Sequence, residues 1–162
     1  MTYKTQFEIL FAYHWHTTHR LLELASRLSE TDYKDSPGYG HGSIHDLFFH
    51  LLRTDQSWCM ALQTGKQLAP LRPGDYPDLP LLVSALEAEQ QNWQALLDGL
   101  SAAEIEAEVA LTSWRGKTHT IPRWRVLQHL VLHGMQHHAE LAHLLTTKGQ
   151  SPGDLDFIFY RQ

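Results

Sequence analysis

Apolar side chains recur every three to four positions over four long stretches of this chain, the period of helices that each turn one face toward a common core. In the first stretch Phe7, Leu10, Phe11, His14, Leu21, Leu22, Ala25 and Leu28 share a face, which predicts a helix from about Thr5 to Leu28. Residues 29–42 carry Asp, Pro37 and three glycines and read as a loop. The second helix has a sharp start: Ser43 followed by Asp46 has the S-x-x-D form of a capping box, in which the serine oxygen accepts from an orphan amide of the first turn. Ile44, Leu47, Phe48, Leu51, Trp58 and Leu62 form its stripe, and Gly65 is a suitable stop.

Residues 66–78 include Pro70, Pro73, Gly74 and Pro77, cannot be helical throughout, and form a long connection. Leu82, Leu86, Trp93 and Leu97 mark a third helix from about Leu79 to Leu100, and Ser101 with Glu104 repeats the capping-box signal over a short one. The segment EVALTSWRGKTHTI has β character with Gly116 at a turn position, which leaves room for a small hairpin. A last long helix begins near Pro122, a residue suited to the first helical position, and ends near Gly149. The expected fold class is therefore all-α: a four-helix bundle with a long crossover loop and space for a β-hairpin before the last helix. No repeat or linker-like stretch divides residues 1–162, so a single domain is expected.

Composition narrows the function. A formal net charge of −5 argues against nucleic acid as a partner, because phosphate binding needs a basic surface. The single cysteine, Cys59, leaves no internal disulfide and suits a reducing cytoplasm; neither a signal peptide nor a bilayer-spanning run is visible, so the expectation is a cytoplasmic protein without a membrane partner. The chain also has 12 histidines, almost as many as its 13 Lys and Arg together. Histidine is the commonest metal ligand, but most histidines in any protein are surface or core residues, so position must decide.

The telling segment is HLVLHGMQHHAEL in the last helix. His129, His133 and His137 stand four apart, so each lies about 6 Å along the axis and about 40° round from the next. Neighbours in such a row can direct two imidazoles at one ion, as the histidines of H-E-x-x-H do, although Gly134, Met135 and Gln136 replace that motif's general-base glutamate. An isolated pair of this kind is more often solvated. Here the row abuts Leu130, Leu141 and Leu144, and a histidine facing the bundle needs a partner, because a buried polar group without one costs a few kcal/mol. Gly134 forms helix poorly, and its use is to let another helix come close. His50, beside Leu47 and Leu51 at the edge of the second stripe, is the best source of a third ligand. Three imidazoles from two helices would give a His₃ site with an open position for water or substrate.

At these residues the chain resembles the DinB-like family of stress-associated four-helix-bundle metalloproteins. That family carries a lone His in helix two and an H-x-x-x-H pair in the last helix, within a run resembling H-x-x-x-H-x-x-x-H-R-G-Q. The stretch SIHDLFFHLLRTDQSW places His50 at the first ligand, and His133 and His137 match the pair. SWRGKTHTIP and the ending GDLDFIFYR are also similar, so the likeness spans essentially the whole chain. One departure matters: His138, Ala139 and Glu140 stand where the family often has Arg-Gly-Gln. Glu140 is thereby placed to orient a ligand imidazole, act as a base or become a fourth ligand, unless it is an ordinary solvated carboxylate. His129 lines the same groove, either as a structural residue or as a second candidate for a catalytic role.

His14 reads as a core histidine bonded to a neighbour, and His16, His19, His41, His45, His119 and His143 as surface residues. Cys59 falls on the opposite face of its helix from His50, and Tyr13, Trp15, Trp58, Trp93 and Trp124 read as packing residues. Three neutral nitrogens suit one divalent ion, zinc, nickel, iron(II) or cobalt. The resemblance implies a metal-dependent enzyme acting on a small molecule, foremost the transfer of a low-molecular-weight thiol to an electrophile, with metal-assisted hydrolysis as the enzymatic alternative. The other class is a non-catalytic stress protein whose ion is structural or sensory. A homodimer is left open.

Overall fold

Three of the four long helices begin where a side chain satisfies the first turn, as seen in the computed structural model, which describes residues 2–161. Thr2 caps α1 (Tyr3–Ala25), Ser43 closes a reciprocal capping box on α3 (Ile44–Thr64), and Asp78 caps α4 (Leu79–Gly99). Gly65 ends α3 at φ 77°, the left-handed region open to glycine. Ser101 caps a short α5 (Ala102–Glu106) through the second capping box. The last helix, α6, runs Arg123–Thr147, with Pro122 one position before it as the N-cap rather than its first residue.

The stretch expected to be loop before α3 contains one further helix, α2 (Glu30–Lys34). Its cause is local: the Ser29 hydroxyl oxygen accepts from the Asp32 amide, and Lys34 pairs with Glu30 at 2.7 Å. Five residues are too few to show a periodic stripe, which is why the apolar pattern passed over it. Two strands, β1 (Glu108–Thr112) and β2 (Thr118–Pro122), form the antiparallel hairpin with Gly116 in its turn at φ 82°. The hairpin is fastened to the end of α3: the Thr112 amide donates to the Gly65 carbonyl and the Gln67 amide to that of Thr112.

The four long helices form a ring in which α1 packs on α4 and α6, and α3 also packs on both. Between them lie Phe48, Leu51, Leu52, Leu82, Leu86, Trp93, Leu127, Leu130 and Leu141, all essentially removed from water. Burial of such side chains contributes about 1.5–3 kcal/mol each before the cost of chain ordering, so this core is the main source of stability. Tyr13, Trp15 and Trp93 are core residues as expected and Trp58 is half-buried against the core, but Trp124 is 42% exposed, at the solvent side of the first turn of α6. No helix among the described residues is long and apolar enough to cross a membrane. For function the important contact is α3 against α6, because it sets His50 opposite the histidine row.

Candidate metal centre

His50 leaves α3 at the margin of its apolar stripe, and His133 and His137 leave α6 one turn apart, so the helix pair brings the three rings into one space. The Nε2 atoms of His50 and His133 are 2.9 Å apart, and those of His133 and His137 are 3.1 Å apart. His137 is buried, while His50 and His133 are half-buried. Burial and the neighbouring imidazoles lower the proton affinity of His50 to a pKa of about 4 and that of His133 to about 3. That of His137 is also lowered by burial, against the raising effect of Glu140. The three are therefore neutral near pH 7, the state in which imidazole ligates a metal.

Proton positions follow from the partners. The Glu140 carboxylate lies 3.1 Å from His137 Nδ1, so that nitrogen carries the proton and donates it, leaving a lone pair on Nε2. Arg53 donates to His50 Nδ1 at 3.0 Å, which puts the His50 proton on Nε2, from where it donates to His133 Nε2. The His133 proton is then on Nδ1, a buried atom with no partner. His133 Nε2, already the acceptor of the His50 proton, also lies 3.1 Å from the unprotonated Nε2 of His137, and no proton remains to join that second pair. A cation resolves that mismatch, so the donor set fits a metal. Four-coordinate geometry with bonds of about 2.1 Å separates ligand nitrogens by about 3.4 Å, so the His50–His133 and His133–His137 pairs each need to part by only a few tenths of an ångström.

Other candidates fall in several places. Glu140 is at the site and accepts from the His137 ring, the orienting arrangement common beside metal histidines. His129 is exposed, with its ring centroid 5.8 Å from both His133 and Trp58, so it borders the groove without touching the trio through its nitrogens. His14 is a core residue as expected, its Nε2 3.4 Å from the buried Asp55 carboxylate. A Cβ on Gly134 would lie 2.2 Å from His14 Nδ1, so this glycine lets α1 and α6 approach. His138, one residue beyond the row, is buried and donates from Nε2 to Thr18 Oγ1, whose own proton goes to the His14 carbonyl. Cys59 is buried on another face of α3, with burial and Glu89 pushing its thiol pKa up.

Three histidines assigned to the surface behave otherwise, and the first, His19, is half-buried with its Nε2 2.6 Å from Gln90 Oε1. His45 is 8% exposed and donates to the Tyr76 carbonyl at 2.8 Å, which pins the crossover to α3. His41 is exposed, but its ring stacks on His50 at 4.2 Å and meets His137 edge-on at 4.7 Å. His41, His50 and His137 each offer a ligand atom within 4.8 Å of the others. Helical spacing could not reveal it, because His41 lies in an irregular segment between Gly40 and Gly42.

One hollow borders the cluster through His41 and Glu140, and another touches it only through Arg53, the partner of His50. The latter, of about 350 Å³, is lined by Arg53, Thr54, Trp58, Gln67, Leu68 and Trp114. The former, about 420 Å³, lies between the glycine-rich loop and α6 and is lined by Tyr39, His41, Leu47, Glu140, His143 and Leu144. A larger hollow of about 610 Å³ sits elsewhere, around Tyr33 and Leu79, and includes none of these histidines.

A model of the DinB family matches the chain over residues 1–162. Among solved structures, a DinB-like protein of Bacillus subtilis, YjoA, superimposes with a TM-score of 0.63 at 18% identity, covering 88% of this chain and 92% of that one, a likeness of fold. No curated protein matches the chain.

Proposed function

Because the chain belongs to the DinB family, we propose that it binds one divalent transition metal through His50, His133 and His137 and uses it as an enzyme acting on a small molecule. The observation that carries this reading is the convergence of three ring nitrogens, His133 Nε2 lying 2.9 Å from His50 Nε2 and 3.1 Å from His137 Nε2, with Glu140 at the second nitrogen of His137. Zinc, nickel, iron(II) and cobalt all suit three neutral imidazoles. Such an ion supplies Lewis acidity, which favours the anionic form of a thiol or polarises a carbonyl.

The chain's own residues do the rest. Helices α3 and α6 hold the ligand rings, and Glu140 keeps His137 in the ligating tautomer. The hollow reached through Arg53, which bonds His50, is lined by that cation with Trp58 and Trp114, a lining suited to an anionic molecule with an apolar body. The leading reaction is transfer of a low-molecular-weight thiol to an electrophile. A sulfur–carbon bond forms, the bond from carbon to the leaving group breaks, and the thiol proton passes to solvent.

The test is to load the protein with each of the four metals, offer low-molecular-weight thiols with an electrophile, and follow thiol consumption beside His133→Ala. Metal-dependent consumption lost in the variant supports the enzyme. Tight metal binding without turnover of thiols or hydrolysable esters would instead indicate a structural or sensory ion.

A further inference from the structure

We propose that His41 is a fourth, displaceable protein ligand of this metal, delivered by the loop before α3, so that a small molecule reaches the ion by displacing an imidazole. The inference rests on the metal reading above and adds a residue outside the helical trio.

The geometry comes from three contacts. The ligand atoms of His41, His50 and His137 lie within 4.8 Å of one another. The His41 ring covers His50 at 4.2 Å and abuts His137 at 4.7 Å. It is also the exposed member of the cluster, and it lines the hollow that Glu140 borders. Surface histidines usually extend into water, whereas this one lies against two others, with a ligand atom within 4.8 Å of one on each.

The backbone explains why this ligand can leave. Gly38, Gly40 and Gly42 all have positive φ, at 79°, 62° and 98°. A Cβ on Gly42 would lie 2.6 Å from Asp46 Oδ2, so this end of the loop is seated against the capping box of α3. A Cβ on Gly38 or Gly40 would meet nothing within 4 Å. His41 thus hangs between a fixed anchor and an open hinge, while the other three rings are fixed on helices. Releasing a loop residue regains backbone entropy, which offsets part of the bond it gives up. The result is a site that keeps its metal through three ligands and exchanges the fourth.

The experiment loads wild type, His41→Ala and His119→Ala with cobalt(II), records the visible absorption bands, and titrates azide as a probe of the exchangeable position. His119 lies exposed in the hairpin and serves as the control. His41→Ala is expected to keep cobalt, shift its bands, and bind azide about tenfold more tightly, as when a competitor occupying the position nine-tenths of the time is removed. His119→Ala should match wild type. Superimposable bands and equal azide affinity in wild type and His41→Ala would overturn the proposal while leaving the three-histidine centre intact. Complete loss of cobalt in His41→Ala would overturn its displaceable character. Failure of the wild type itself to take up stoichiometric cobalt would overturn the metal reading and this one with it.

Discussion

Glu140 holds the proton of His137 at 3.1 Å from a side chain that is still 37% exposed, so its contribution is one of orientation and moderate charge rather than a buried ion pair. Glu140→Gln keeps the shape and removes the charge. We expect the fold to persist and cobalt affinity to fall on the order of 10-fold, at the low end for partners of ligand histidines, read by competition with a chelating dye. Unchanged affinity would make Glu140 an ordinary surface carboxylate. Arg53 acts in the opposite sense, because its bond to His50 Nδ1 places the proton on the atom that must ligate. Arg53→Met should therefore tighten cobalt binding, and weaker binding in that variant would contradict the proton assignment. The row of His133 and His137 was legible from spacing, and His50 from its place beside the stripe. His41 was not, because no periodicity describes a glycine-rich loop, and the burial of His45 depends on a crossover carbonyl far along the chain.

At the scale of elements, the proposed ligand set of His50, His133 and His137 bridges α3 and α6. Metal bound only by the folded state adds stability of about 2.7 kcal/mol when free metal is one hundred times Kd. Chelation should therefore lower the melting temperature of the loaded protein, and a melting curve that a proven metal removal leaves unchanged would refute the bridge. The contact of α1 with α6 offers a second test at Gly134. Alanine there gains about 1 kcal/mol in helix propensity, but overpacking typically costs about 1–3 kcal/mol, and the clash is with a buried ring. The close contact at 2.2 Å to His14 decides the sign, so Gly134→Ala should lower stability by urea denaturation, and a gain would contradict the packing. The elements themselves were largely legible: both capping boxes, Gly65 as a stop and the hairpin around Gly116 stand where local chemistry put them. What escaped was α2, held by one cap and one ion pair, and the exposure of Trp124 in the first turn of α6, which depends on how α6 is rotated in the bundle.

For the whole molecule, acidity links the site to the fold. His50 and His133 have folded pKa values of about 4 and 3, and burial also lowers those of His137 and His138. The unfolded chain binds these protons near pH 6.5, so the stability tied to their neutrality is fully present above that pH and is lost as pH falls toward 4 and 3. The metal-free protein should lose melting temperature steadily between pH 6.5 and 5, above the range where ordinary carboxylates titrate, as followed by circular dichroism. A rise over that window would contradict the burial of neutral histidines. The most direct test of the central claim is metal analysis of protein purified without a nickel column, then exposed to zinc and desalted. Wild type and His143→Ala should each hold one ion per chain and His133→Ala none. Equal metal content in all three would show that the ion is not held by the histidines that α3 and α6 bring together.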